Sequence, residues 1–257
     1  MGANREASYT LAGTGVECPF VTFEDLHQTE HTGPLEHFTV FDELRREGPL
    51  FYGSAGGNRF WLPTRMADIR ETLQAPAVFS SGSLAVADPN PAYNFIPVML
   101  DPPLHTHWRR LLAPFFSRSA VEKLGPLMRQ RSQEILDEVA PRGECDYVTD
   151  VALRFPNTIF MEIVGLPVSE WSRFMEWEQA ILHSGLVGHG PSLQAQNEVT
   201  SYFSDLIANR RKSPRDDLIS ASLAFEIDGR KVNDEELLAL FLLLFQAGLD
   251  TVASQLT

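Results

Sequence analysis

Residues 237–257 read LLALFLLLFQAGLDTVASQLT, and this stretch decides the fold. From Leu237 to Leu249 apolar residues recur all the way round a 3.6-residue period, which predicts a helix buried in the middle of a larger helical body. Gly248 inside that helix costs about 1 kcal/mol relative to Ala, and Asp250 needs partners to offset its desolvation. Adjacent Gly, Asp and Thr suit a point of close approach to a ligand with a proton route beside it. They suit equally a helix nearing its end, with Asp250 and Thr251 at the surface. A chain that stops inside such a helix reads as unfinished.

Working outward, helical periodicity dominates from Pro103 onward, with helices expected at about 103–117, 119–139, 148–164, 169–184, 193–212, 214–224 and 233–257. FEIDGRKV at 225–232 carries an Asp-Gly hairpin turn. Upstream, FTVFDELRREGP places Phe38, Phe41 and Leu44 on one helical face that Gly48–Pro49 ends. Leu50–Tyr52 and Arg59–Leu62 are strand candidates around a Gly-rich turn, and Pro63–Thr64 opens a helix running to about Leu73. Six prolines among residues 75–103 predict a long loop, of the kind that is often functional. The expected fold is mainly α with a small β part. Residues 1–34 read as a largely irregular N-terminal segment, and 35–257 as one incomplete domain.

Composition narrows the function classes. A net charge of −13, with basic residues only in short scattered clusters, argues against a nucleic-acid surface. Cys18 and Cys145 are far apart and in no CxxC pattern, which disfavours a disulfide framework or a cysteine zinc site. The opening MGANREASYT lacks the apolar run of a secretory signal, and Glu6 stands where a myristoylation site needs Ser or Thr. The apolar run Leu237–Phe245 is nine residues long, too short to span a bilayer before Gln246 and Asp250 interrupt it. A cytoplasmic protein with no membrane partner is expected.

Two further stretches could carry chemistry. In DPPLHTHWRRLLAPFF (101–116), Pro102 and Pro103 suit a helix start, and His105 and Arg109, four apart, share a face. An imidazole and a guanidinium so placed can hold the carboxylates of a flat ligand. The same spacing also fits an ordinary amphipathic helix with a solvated basic edge. His105 and His107, two apart on a helix, diverge and make a poor metal chelate, so no metal ligands are assigned. In AYNFIPVMLDPP (92–103), Tyr93, Phe95, Ile96, Val98 and Met99 form an apolar cluster in which Tyr93 offers one hydroxyl. Loop packing accounts for that cluster as readily as a ligand does.

Taken in order, AYNFIPVMLDPP, the HxxxR helix, RGECDYV at 142–148, FPNTIFMEIVGLP at 155–167 and AGLDTV at 247–252 resemble the cytochrome P450 family, nearest to its soluble bacterial camphor-hydroxylase branch. The resemblance implies haem b as cofactor, with His105 and Arg109 on its propionates. It implies that Ala247 and Gly248 let the long helix bow over the oxygen face. Asp250 and Thr251 would relay protons so that the O–O bond breaks heterolytically, in a pocket otherwise kept dry. Tyr93, Phe95 and Gln246 would face the substrate, a small or medium hydrophobic molecule. Dioxygen, a ferredoxin and an NAD(P)H-linked ferredoxin reductase are the implied partners.

Departures from the pattern qualify these implications. Gln246 stands where related enzymes usually carry an apolar residue, and Gly82 to Pro91 lacks the aromatic that caps the camphor pocket, so camphor is not the expected substrate. The family's FxxGxxxCxG loop, whose thiolate binds the iron, is not matched. Cys18 has Leu11 seven residues before it and Phe20 two after, and Cys145 has Glu138 and Tyr147 at those places. The family's ExxR helix is likewise not found in its place. The chain is therefore expected to be a truncated P450 that is inactive alone. Half of a split enzyme, or a helical binding module without catalysis, are the alternatives.

Overall fold

The computed structural model describes residues 9–10, 17–18, 20–22, 36–55, 58–84, 86, 88–91, 93–183 and 192–256. They fall into two compact units, Met1–Asn94 with Val98–Pro102 and Phe95–Pro97 with Pro103–Thr257.

The first unit holds the sheets expected near the N-terminus. Strands β1 (Tyr9–Thr10) and β2 (Glu17–Cys18) pair antiparallel, and β3 (Phe20–Thr22) runs parallel to β4 (Leu50–Ala55). The N-terminal segment read as irregular thus contributes three short strands: β1 and β2 pair with each other, and β3 takes its backbone pairing from β4 far along the chain. Helix α1 (Glu36–Glu47) precedes β4, and β5 (Asn58–Pro63) returns antiparallel with Tyr52 opposite Trp61. Those rings lie 4.7 Å apart. Thr64 locks the end of the hairpin by donating its hydroxyl to the Gly48 carbonyl at 2.9 Å. Helix α2 (Met66–Leu73) follows, and then the long loop. Asp101 ties its two ends: Ser80 Oγ donates to Oδ2 at 2.5 Å and the Ser81 amide to Oδ1 at 2.9 Å.

The second unit is helical. It comprises α3 (Leu104–Leu112), α4 (Arg118–Lys123), α5 (Gly125–Val139), α6 (Arg154–Val164), α7 (Trp171–Glu178), α8 (Leu193–Lys212), α9 (Leu218–Ser222) and α10 (Asp234–Leu256). Side-chain caps mark several starts: Ser117 for α4, Ser192 for α8 and Asp217 for α9. At α10 the cap is reciprocal. Asn233 Oδ1 accepts from the Glu236 amide at 2.9 Å, and Glu236 Oε2 accepts from the Asn233 amide at 3.0 Å. The helix expected over 119–139 is broken at Leu124, where Gly125–Pro126 begins a new one. That expected over 103–117 ends at Leu112, two residues before Pro114.

Helix α10 packs against α6, α7 and α8. Leu237, Leu240, Phe241, Phe245, Leu249 and Ala253 are buried along one stripe. Phe203 of α8 stacks on Phe241 at 6.0 Å and 10°, and Phe174 of α7 meets Phe245 at 5.9 Å. The all-round burial expected of this helix is not what forms: Leu242, Leu243 and Leu244 are half-buried, and Ala247, Thr251 and Val252 are exposed. Helix α10, 23 residues long, is long and apolar enough by length and composition to cross a bilayer, with mean hydropathy 1.8 over an 18-residue window. The nine-residue reading underestimated it because the helix runs on through Gln246 and Asp250. A core helix of the same composition passes that test too, and the aromatic packing of its inner stripe is core packing.

Candidate functional site

Helix α3 is set by its buried pair, Trp108 and Leu112, 1% and 4% exposed. Trp108 meets the ring of Phe225 edge-on at 6.4 Å, just before the hairpin of β6 (Glu226–Ile227) and β7 (Arg230–Lys231). At 100° per residue, Leu112 lies about 20° and Trp108 about 60° from His105 on one flank and Arg109 about 40° on the other, so the polar pair borders the buried side. His105 is half-buried and Arg109 exposed. Neither has an ion-pair or hydrogen-bond partner among the described residues. By contrast, Arg131, Arg154, Arg210, Arg211 and Arg230 are each held by a carboxylate. An unpaired guanidinium and an imidazole on one face fit the two carboxylates of a porphyrin edge.

On α10 the predicted residues divide between two sides. Gly248 is a close-approach point, but what approaches is Phe160 of α6: a Cβ at Gly248 would lie 2.3 Å from Phe160 Cδ2. The glycine is accounted for by helix packing, and α10 stays α-helical from Asp234 to Leu256. Ala247 and Thr251, four apart, lie on the open side, where Thr251 donates its hydroxyl to the Ala247 carbonyl at 2.8 Å. Gln246 is half-buried. The Asp250 side chain lies outside the described residues.

In the loop, Tyr93 is exposed and Phe95 half-buried, while Ile96 and Met99 are buried. Tyr93 belongs to the first unit and Phe95 to the second. Cys145 is a free, exposed thiol.

Two features escaped the reading of the sequence. His107, set aside as a poor chelator, turns to the hairpin, with Nδ1 3.4 Å from Asp228 Oδ1. Arg210, read only as part of a basic cluster, is 4% exposed and holds Asp217. The Asp-Gly turn signalled the first; no local pattern signalled the second.

The chain is similar to mycinamicin IV hydroxylase/epoxidase of Micromonospora griseorubida, 28% identical over 95% of this chain and 61% of that protein. It is similar to cytochrome P450 107B1 of Saccharopolyspora erythraea, 31% identical over 87% of this chain and 61% of that protein. Among solved structures, a mutant of P450 EryK in complex with erythromycin B is 28% identical, with TM-score 0.70 over 84% of this chain and 55% of that one. CYP109E1 from Bacillus megaterium in complex with testosterone shares the fold, with TM-score 0.72 over 85% of this chain and 58% of that one at 24% identity. No family model matches the chain. The chain spans about six-tenths of the length of these curated relatives.

Proposed function

Because this chain belongs to the cytochrome P450 family, we propose that it forms the oxygen-side part of a haem-dependent monooxygenase acting on a small or medium hydrophobic substrate. The observation that carries this reading is the pair His105 and Arg109, on one face of α3 and without protein partners among the described residues. Haem b, when bound, supplies a redox iron that activates dioxygen. No thiolate ligand is assigned among residues 1–257.

Arg109 offers two parallel N–H donors to one haem carboxylate, and His105 one ring nitrogen to the other. On α10 the Thr251 hydroxyl spends its proton on Ala247, so its lone pairs stay open to accept from a water. Ala247, having only a methyl group, keeps that open side low. Gly248 serves it indirectly, by letting α10 seat on Phe160. Phe95 and Gln246 are assigned to the substrate side. Electrons arrive from a ferredoxin and its NAD(P)H-linked reductase, in an aqueous, cytoplasmic setting. The relative named as a hydroxylase/epoxidase supports oxygen insertion as the reaction.

The test is haemin binding by the purified chain. It should bind haemin and lose it to an apo-globin acceptor several-fold faster when Arg109 is changed to Ala. Haem dimethyl ester, with its carboxylates blocked, should be held no better by the native chain than haemin is by that variant. Equal retention in all three cases would overturn the assignment. With carbon monoxide the reduced, loaded chain should lack the thiolate-type Soret shift, and its appearance would place the thiolate within these residues.

A further inference from the structure

Helix α3 bears two imidazoles, and only one belongs to the face just described. His107 is about 200° around the axis from His105, on the side that meets the β6–β7 hairpin. Its Nδ1 is closed off from solvent and makes no hydrogen bond within ordinary geometry, yet Asp228 Oδ1 is 3.4 Å away. Asp228 is held there by its turn. Its φ is +52 and that of Gly229 is +79, the left-handed pair that a two-residue Asp-Gly hairpin demands. Antiparallel pairing of Glu226 with Lys231 and Ile227 with Arg230 sets the turn's position.

Of the hairpin's other charges, Arg230 feels Asp228 only as its weakest influence, after Glu236. Arg230, the cation nearest in sequence to Asp228, is engaged in both its terminal nitrogens by Glu236 at 2.8 and 2.6 Å. Glu226 and Lys231 are exposed. Phe225 meets Trp108 edge-on at 6.4 Å and Phe115 at a tilt at 6.1 Å, while Ile227 and Val232 are buried. Those apolar contacts set which side of α3 faces the hairpin. The approach of His107 Nδ1 to Asp228 Oδ1 at 3.4 Å adds a polar contact about 100° further round the axis from Trp108.

We propose that His107 is a positioning residue for the cofactor: paired with Asp228, it fixes the roll of α3 on the β6–β7 hairpin and so aims His105 and Arg109 at the haem carboxylates. This rests on the proposed function above. The same hairpin leads through Asn233 directly into α10, so one short element sets both helices that the cofactor needs.

The test measures haemin loss to an apo-globin acceptor alongside the urea midpoint, for the full chain and for His107→Leu, Asp228→Asn, the double variant and His107→Arg. Each single variant should lose haemin about three- to fivefold faster at an unchanged urea midpoint. The double variant should be no worse than either single one, and His107→Arg should restore retention. Additive losses, no change, or losses that track the urea midpoint would each overturn the proposal. If the native chain retains haemin through Arg109 while the His107 and Asp228 variants behave like it, only this inference fails. Where the native chain shows no Arg109-dependent retention, the functional assignment fails and takes this one with it.

Discussion

Arg210 Nε donates to Asp217 Oδ2 at 2.6 Å with both side chains only 5% exposed, which joins the C-terminal end of α8 to the first turn of α9. Arg210 Nη2 also donates to the Gly165 carbonyl at 2.9 Å, just past the end of α6. Three helices meet at one guanidinium. Removing either partner strands the other charge without water, so Arg210→Ala or Asp217→Ala should cost about 3–5 kcal/mol, read as a fall in the urea midpoint.

Asp217 also carries a pH signature. Burial pushes its carboxyl up, but hydrogen bonds from Ser220 and the Arg210 guanidinium together outweigh that and hold it below the ordinary value of 3.8. A lowered folded pKa stabilises the fold above the unfolded value and loses that contribution as pH falls through the folded one. The native chain should therefore lose stability more steeply than Asp217→Asn below about pH 4. Parallel curves of urea midpoint against pH would refute this.

Gly165 sits at φ +93, and a Cβ there would come within 2.4 Å of Asp217 Cβ. Gly165→Ala combines backbone strain with collision against a held side chain, so a loss of about 1–3 kcal/mol is expected. Thermal unfolding should show it, and Asp217→Ala should recover none of the strain component.

At Gly248, substitution by Ala should gain about 1 kcal/mol of helix propensity but lose about 1–3 kcal/mol by overpacking against Phe160. The net effect is destabilisation. Phe160→Leu in the same chain should relieve the collision, giving a favourable coupling in a double-mutant cycle. Simple additivity would show that the two helices separate freely.

Thr251→Ala removes the hydroxyl that Ala247 orients. In a full-length enzyme carrying these residues, oxygen and reductant consumption should continue while product falls and peroxide appears. An unchanged ratio of product to oxygen consumed would exclude Thr251 from the proton route.

Much of this was legible in the chain itself. The 3.6-residue period marked the helices at 193–212 and 234–256 within a residue or two, because long amphipathic or apolar runs have few other folds open to them. The Asp-Gly turn and the pair of strands around Gly56–Gly57 were local signals of the same kind. On the candidate site, spacing alone put His105 and Arg109 on one face. It could not tell a free basic edge from one occupied by nearby carboxylates.

What sequence determined by itself, then, is local: which segments are helical, where caps and turns stop them, and which residues share a side. Those properties follow from dihedral preferences and periodicity within a few residues. Tertiary structure alone decided the rest. It placed Phe160 in the space left by Gly248, paired β3 with β4, buried Arg210 against Asp217, and turned His107 toward Asp228. Each of these joins residues from different elements, or depends on how much water neighbouring elements exclude, and neither quantity is encoded in any short window of the chain.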